Sequence, residues 1–466
     1  MSRSFMSKGI LQEARHILHL AYPIIITQLA ASGMGLTDTI MAGQLGALDL
    51  AGVAIGAGVW VPLYLLAKGT YMALTPTVAH LFGANRNDEI GSYGQQGLWI
   101  GLGCGLLLAI LLANIKPLLI WLDVDPDIIP LSSQYLTALA FGMPALSLFN
   151  VFTSYCEGVG KTKPGMIFML VGLMLNIPAN YIFMYGKFGF PALGAVGCGW
   201  ATATVATTMM LLIAIYTHLA PSLKHFGLFR HWSRPQLGKI KELLALGVPM
   251  GISIFAEASI FSVVSLLLGR LGAEIVASHQ IAINISSIAF MVPFSIAMAV
   301  TIRIGHWLGA QQPNSAKKSG QLGIMLALGY AVFSASCMLA FPQFLTEVYT
   351  SDAKVIELTV GLLWYAAVFQ FSDGLQVAAN GILRGYKDTK IPMMVVIIAY
   401  WGIGLPTGYL FGLTDLITPA MGPAGFWIGL VCGLTTAAIL LLARVVYISQ
   451  QHIISANPIA TANQVS

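Results

Sequence analysis

The chain has 466 residues, of which 57% are hydrophobic and only 9% are charged, and its mean hydropathy is +0.80. A soluble domain carries about 25% charged residues, so the composition excludes a soluble globular protein and indicates a chain that lies in lipid.

Twelve apolar segments are each long enough to cross a bilayer as a helix. Such a helix needs about 20 apolar residues, and only helices or closed barrels satisfy their backbone groups in lipid. The long runs exclude the alternating pattern of a barrel. The predicted spans are residues 16–43, 48–79, 93–115, 128–156, 165–186, 193–218, 242–268, 276–302, 319–341, 355–381, 389–411 and 422–448. We therefore predict an all-α membrane protein with twelve transmembrane helices.

The chain repeats itself. Residues 20–84 lie over residues 246–310 without a gap, and 16 of the 65 positions are identical, Pro23 and Pro249 among them. Self-similarity over such a length decides the architecture. Six spans in each half make the halves parallel repeats, related by a pseudo-two-fold axis along the membrane normal.

The repeat predicts two six-helix lobes. We expect an N-lobe with spans 1–6, a cytoplasmic linker, a C-lobe with spans 7–12 and a C-terminal tail, at residues 1–218, 219–241, 242–450 and 451–466. The basic linker is expected to anchor at the membrane surface rather than to bind a partner.

Lys and Arg are distributed unequally between the two sides of the predicted bundle. Eighteen fall on the side of the N-terminus, and four, Lys116, Lys187, Arg270 and Lys354, fall on the other. Cytoplasmic loops carry the excess of basic residues, so both termini are predicted to be cytoplasmic in a bacterial inner membrane. The net charge of +5 then reflects topology, and no nucleic-acid partner is expected.

The five cysteines are odd in number and widely spaced. This pattern excludes a disulfide framework and a CxxC metal site. We expect no cofactor.

Three acidic residues, Asp38, Glu257 and Asp373, fall deep inside predicted spans. An ionisable residue at mid-membrane is costly and indicates a functional site. The alternative is structural pairing with a basic residue, but Lys68 is the one basic residue we place inside a span. The acids are not shared by the repeat, since Asp38 aligns with Val264 and Glu257 with Ala31.

Amides recur near these acids at helical spacing. Such rows of polar side chains on apolar helices either line a hydrated cavity or bind a neighbouring helix. Their position near the acids favours a cavity. The candidate cavity residues are Asn176 and Asn180 in span 5, Gln280 and Asn284 in span 8, and Gln370 and Asn380 around Asp373 in span 10. His279 is a further candidate without an assigned role.

Intramembrane carboxylates can couple ion and substrate movement. Desolvation favours the protonated acid, whereas a nearby cation favours the ionised form, so a proton or Na⁺ and a cationic substrate can compete for one charge. Asn and Gln oxygens can help to coordinate Na⁺. If the ion is Na⁺, we expect Glu257 and Asp373 to bind it.

Four stretches resemble the multidrug and toxic compound extrusion (MATE) transporters, in particular their NorM branch, and the resemblance extends over residues 10–450. The stretches are Asp38-Thr39-Ile40-Met41-Ala42-Gly43, Glu157-Gly158-Val159-Gly160-Lys161-Thr162-Lys163-Pro164, Asn176-Ile177-Pro178-Ala179-Asn180-Tyr181 and Gly194-Ala195-Val196-Gly197-Cys198-Gly199.

The resemblance implies two lobes around a cleft that export amphipathic organic cations in exchange for Na⁺ or H⁺ by alternating access. Asp38 would match the family's first-helix acid, with Asn176 and Asn180 beside it. Glu257 and Asp373 would match the C-lobe acids associated with cation coupling, and Pro23 the position at which the first helix bends. We expect a monomer.

Lys68 departs from the family pattern, and two interpretations stay open. Its amine reaches the cytoplasmic surface along an apolar stem, or it pairs with an acid.

Three other functions were weighed. A lipid-linked saccharide flippase of related architecture is the main alternative, although it favours basic cavity residues. An intramembrane enzyme needs a motif such as HExxH or GxGD, and neither occurs, so no enzymatic activity is expected. A channel is disfavoured because the repeat is twofold.

Overall fold

A computed structural model describes residues 2–230, 232–416 and 418–456, with side chains from residue 9 onward. The described residues form helices and no strand. His231 of the predicted linker and residues 457–466 of the predicted tail lie outside the described part.

Eighteen α-helices are formed by the described residues, together with a 3₁₀ turn and a π-helical segment. The α-helices are α1 Ser2–Leu45, α2 Ala47–Met72, α3 Leu74–Gly83, α4 Asn87–Ala113, α5 Lys116–Trp121, α6 Ile129–Ala140, α7 Met143–Gly158, α8 Lys163–Tyr185, α9 Ala195–Leu219, α10 Pro221–Lys224, α11 Leu237–Leu268, α12 Ala273–Gly309, α13 Pro313–Ala340, α14 Pro342–Glu347, α15 Ala353–Gly385, α16 Lys390–Ile397, α17 Leu405–Leu413 and α18 Pro423–Ala456; the 3₁₀ turn is Gly269–Leu271 and the π-helical segment is Ile398–Gly404.

Eleven helical stretches of the described chain are long and apolar enough to cross a membrane, and α6 with α7 gives a twelfth as a bent pair. The predicted all-helical fold with twelve spans is confirmed in this form. The fourth span is not one helix, because α6 and α7 meet at an angle of 48°. Pro144 is the second residue of α7 and has no N–H to donate back into α6. Gly142 lies so close to α9 that an added Cβ would be 2.9 Å from the Cβ of Ala203.

The internal repeat is visible in local structure. Gly46 and Gly272, one repeat apart, both precede a helix with positive φ, at 151° and 115°. Gly194 and Gly422 share a φ of 58°, and each donates its N–H to a carbonyl ten residues earlier at 3.1 Å. Left-handed backbone of this kind favours glycine. The duplicated sequence therefore folds into duplicated turns.

The chain forms two compact units. The N unit is Pro23–Gly251, and the C unit is Met1–Tyr22 with Ile252–Ser466. The chain thus passes from one unit to the other inside helix α1, at Pro23, and inside helix α11, two residues after Pro249. The predicted lobe limits at 218 and 242 fall elsewhere in sequence and stay a prediction.

The segment predicted as a linker packs within the N unit. Phe226 and Leu228 are buried. The amide of Gln95 on α4 donates to the Leu228 carbonyl at 2.7 Å and accepts from the Ser233 hydroxyl at 2.6 Å. The described part of this segment is therefore fixed to α4 by buried polar contacts.

The C unit packs α12, α13 and α18 around α15. Beside them, the backbones of α17 and α18 touch at glycine residues. A Cβ added to Gly425 would lie 2.6 Å from the Cα of Gly412, and one added to Gly429 would lie 2.5 Å from the Cα of Gly408. Small residues permit such close packing in membranes. The π-helical segment precedes Pro406, which cannot donate to a carbonyl one turn earlier, and the wider turn accommodates it.

Candidate functional site

In the N unit, two asparagines surround the Asp38 carboxylate. Asn176 and Asn180, one turn apart on α8, donate their Nδ2 groups to Asp38 Oδ1 at 3.0 and 2.6 Å. Both asparagines are fully buried, whereas Asp38 on α1 is half-buried. The structure thus brings together the three residues that the sequence placed in this group.

One oxygen at this site is free to accept a further ligand. Asn180 Nδ2 also lies 3.3 Å from Asn176 Oδ1, and the buried Asn180 Oδ1 has no hydrogen-bond partner. Buried amide oxygens are normally paired. A carboxylate and an unpaired amide oxygen together form a suitable environment for a small cation.

In the C unit, Glu257 lies on α11 and faces the π-helical segment. The Tyr400 hydroxyl donates to Glu257 Oε1 at 3.5 Å, and the neighbouring Trp401 Nε1 donates to the Ala256 carbonyl at 3.1 Å. Arg384, in the last turn of α15, attracts Glu257 electrostatically. The Glu257 carboxylate therefore faces a phenol and a cation.

Asp373 lies within α15 and is only 3% exposed. Its Oδ2 atom has no hydrogen-bond partner. Gln370 and Asn380, predicted on the same helix face, are also buried, and Gln370 Oε1 is 3.5 Å from the Ser334 hydroxyl. Glu257 acts on Asp373 electrostatically as a like charge. The C unit thus holds two interacting acids, a buried Asp373 and a half-buried Glu257, with buried amides on the helix of Asp373.

The polar residues predicted in span 8 are exposed, unlike the buried amides on the helix of Asp373. Gln280 and Asn284 are exposed on α12, whereas His279, which directly precedes Gln280, is fully buried. Helical periodicity explains this, since residues one position apart lie about 100° apart around the axis. Exposed side chains line either a cleft or the surrounding lipid, so the cavity role of Gln280 and Asn284 stays a prediction.

Several polar neighbours were missed in the sequence. Tyr400 and Gln376 are buried beside the C-unit acids, and Arg384, counted there as a cytoplasmic charge, interacts with Glu257. Arg384 is therefore a second basic side chain, besides Lys68, that can interact with the acids. Tyr400 could have been noted in the sequence, because it is an aromatic residue with a hydroxyl group inside a predicted span. Its partner Glu257 lies on another helix, and one sequence does not show which helices pack together.

Glu157 was placed at a span end, but it is only 8% exposed. Lys68 on α2 attracts it electrostatically. Of the two interpretations left open for Lys68, this electrostatic attraction favours the one in which Lys68 lies near an acid. That acid is none of the three predicted functional residues.

The described acids of the two units are not gathered into a metal-binding cluster. Among the described residues, no group of three or more His, Cys, Asp or Glu side chains is placed to hold a metal ion.

Comparison with known proteins identifies the family. The MatE family pattern matches twice, at residues 23–182 and 249–410, and the two matches begin one 226-residue repeat apart. The multidrug resistance protein PmpM of Pseudomonas aeruginosa is 45% identical over 442 residues, covering 94% of this chain and 93% of that protein. The multidrug resistance protein MdtK of Yersinia pestis is 44% identical over 444 residues, covering 94% and 96%.

Solved structures agree in fold. The eukaryotic MATE transporter AtDTX14 superposes with a TM-score of 0.86 at 19% identity, covering 96% of this chain and all of that one. The Vibrio cholerae MATE transporter VcmN in its bent form gives 0.84 at 18% identity, covering 97% and 99%. With the repeated family match and the 45% relative, these likenesses show that the chain belongs to the MatE family of membrane transporters.

Proposed function

We propose that this chain is a multidrug efflux transporter that exports small molecules from a bacterium. The proposal follows from family membership and from the names of PmpM and MdtK, both multidrug resistance proteins that match nearly end to end. A saccharide flippase, the alternative weighed from the sequence, has no support among these relatives. The family is one of transporters, which is consistent with the absence of enzymatic activity.

The finer proposal is a secondary antiporter driven by H⁺ or Na⁺. The observation that carries it is the buried Asp373 carboxylate, whose Oδ2 lacks any hydrogen-bond partner. An ionised carboxylate is stable in such a place only when a cation is near, and otherwise it takes a proton. Asp373 and Glu257 are two carboxyl groups with one nearby arginine, so cation binding is the direct way to balance them.

The substrates are proposed to be amphipathic organic cations. Asp38 offers a half-buried negative charge, and its two amide partners donate to a single oxygen, Oδ1. The negative charge of Asp38 can attract a positive group on a substrate or the coupling ion. Charge competition at this acid would link binding of one to release of the other.

The expected setting is the bacterial inner membrane, with both termini in the cytoplasm and the transporter acting as a monomer. The relatives with long alignments are bacterial, and the basic residues favour this orientation.

Reconstitution into proteoliposomes tests the proposal. A fluorescent organic cation is loaded, and either a pH gradient or a Na⁺ gradient is imposed while efflux is recorded. We expect one gradient to accelerate efflux at least tenfold over no gradient. Equal efflux under both gradients and without either would contradict secondary antiport, whereas efflux of neutral substrates alone would contradict the cationic class.

A further inference from the structure

His279 is a buried ionisable residue that the proposed function does not yet use. It lies on α12 with an exposed fraction of 0%, and neither ring nitrogen has a hydrogen-bond partner. A neutral imidazole always carries one N–H donor and one acceptor. Leaving both unpaired in the interior is costly, so His279 requires a ligand.

An aromatic contact chain connects His279 with α15. The His279 ring meets the Trp427 ring edge-on at 6.0 Å between centroids, and Trp427 meets Phe369 at 5.7 Å. Phe369, Asp373 and Gln376 follow one another at i, i+4 and i+7, so they share one face of α15. His279 is therefore connected through two aromatic rings to the face of α15 that carries Asp373.

This region contains other buried polar atoms without partners. They are Trp427 Nε1, both amide atoms of Gln376 and Asp373 Oδ2, and all three residues are at most 3% exposed. Such a concentration is unusual, since buried polar groups are normally satisfied by protein or by internal water. Bridging water is the ligand that can satisfy donors and acceptors on three helices.

His279 lies nearer one end of the C unit than Asp373 does. The Glu274–Lys354 ion pair joins α12 and α15 at that end. His279 is five residues beyond Glu274, about 8 Å along its helix, and Asp373 is 19 residues beyond Lys354, about 28 Å along its own. The order from this end inward is His279 and then Asp373.

We propose that His279 is a proton-relay residue that, with internal water, carries protons between Asp373 and the end of the C unit marked by Glu274 and Lys354. The Asp373 carboxyl releases a proton to water, and one ring nitrogen of His279 accepts it. The other ring nitrogen then gives its proton to water on the far side, and reorientation of the ring restores the starting tautomer. The sequence is balanced, because one proton enters the ring for each that leaves.

The charged and titratable groups around this path are few. Asp373 and Glu257 are its carboxyl groups, Tyr400 is a phenol bonded to Glu257, and Arg384 is the cation near Glu257. Glu274 and Lys354 neutralise each other at the end of the unit. His279 is thus the group on this path that offers both a proton donor and a proton acceptor on one ring, neither of them paired.

The inference rests on the proposed function, since it needs Asp373 to exchange protons. The test compares His279→Asn, which keeps polarity without titration, and His279→Phe, which keeps the ring packing against Trp427. His452→Asn is the matched control in the same unit, because His452 already has a partner, the Ile448 carbonyl at 2.9 Å from Nδ1. Each variant is reconstituted, and efflux driven by a pH gradient is recorded from pH 5.5 to 8.5 with and without added imidazole.

We expect both His279 variants to slow proton-driven efflux at least tenfold while substrate affinity stays within twofold of the unmodified protein. Free imidazole should restore at least a third of the lost rate, and the control should be unaffected. Unchanged rates and pH profiles in both variants would overturn the relay, as would a loss that imidazole does not reverse. Efflux driven by Na⁺ alone would overturn the relay but leave antiport standing, whereas full efflux in Asp373→Asn would overturn the coupling assignment itself.

Discussion

Asn180 donates a hydrogen bond to Asp38 across 142 residues of sequence, and at 2.6 Å it is the shorter of the two amide bonds to that carboxylate. The bond fixes one carboxylate oxygen toward α8. Substrate or ion binding at Asp38 should therefore depend on its charge and on this orientation.

Replacing Asp38 by Asn tests the charge. The variant keeps the size of the side chain but removes its negative charge, so we expect efflux of organic cations to fall at least tenfold with normal membrane insertion. Cell accumulation of a fluorescent cation and membrane expression are the measurements. Asp127→Asn, at an exposed position, is the control. Retained efflux in Asp38→Asn would remove this residue from the mechanism.

Replacing Asn180 by Leu tests the orientation. The carboxylate would keep only the longer bond from Asn176, at 3.0 Å, so we expect weaker substrate binding by about fivefold to tenfold, equivalent to about 1 to 1.4 kcal/mol for a charge-assisted bond. Equilibrium binding of a fluorescent cation to purified protein measures it. Binding unchanged within twofold would show that the bond has no role in recognition.

The Glu13–Arg303 ion pair should stabilise the C unit. Arg303 Nε and NH2 donate to the two Glu13 oxygens at 2.9 and 2.6 Å, and Trp307 and Ser319 donate to the same carboxylate. Glu13→Gln leaves a mostly buried arginine without its counter-ion, so we expect a loss of about 2 kcal/mol, below the range for fully buried pairs because both side chains retain some exposure.

Thermal unfolding in detergent measures the effect of Glu13→Gln. Arg86→Gln is the control, since the Arg86–Glu89 pair is exposed and should contribute little. Equal unfolding temperatures for the two variants would mean that the Glu13 cluster does not stabilise the fold.

Close packing of α2 against α11 in the N unit predicts a steric effect. A Cβ on Gly247 would lie 3.0 Å from Thr70 Cα and closer still to its carbonyl. Gly247→Val should therefore destabilise the protein by about 2 kcal/mol through overpacking. Gly238→Ala on the same helix, where nothing lies within 4 Å, should be tolerated. Normal monodisperse yield and unfolding temperature for Gly247→Val would contradict the packing.

The sequence predicted what depends on periodicity, and missed what depends on which helices face each other. Apolar runs located all twelve spans, and a 226-residue shift located the repeat. Spacing within one helix grouped Asn176 with Asn180 correctly. It could not show that Tyr400 approaches Glu257, because these residues are 143 positions apart, nor that Glu157 near a span end is buried.

The same limit explains the eighth span. Gln280 and Asn284 were grouped by spacing alone, and spacing does not reveal which face of α12 is buried. The structure places that stripe on the exposed face and buries His279 instead. Polar residues at helical spacing are predicted to share one face of a helix, but their spacing does not show whether that face packs against protein, lipid or water.

The central claim is that the C-unit acids bind the coupling ion and release it when a substrate cation binds. Its most direct test adds an organic cation to purified protein in weak buffer and counts the protons, or ²²Na⁺ ions, released for each molecule bound. The account predicts release from the unmodified protein and at least tenfold less from Asp373→Asn with Glu257→Gln. Equal release from the doubly substituted protein would contradict it.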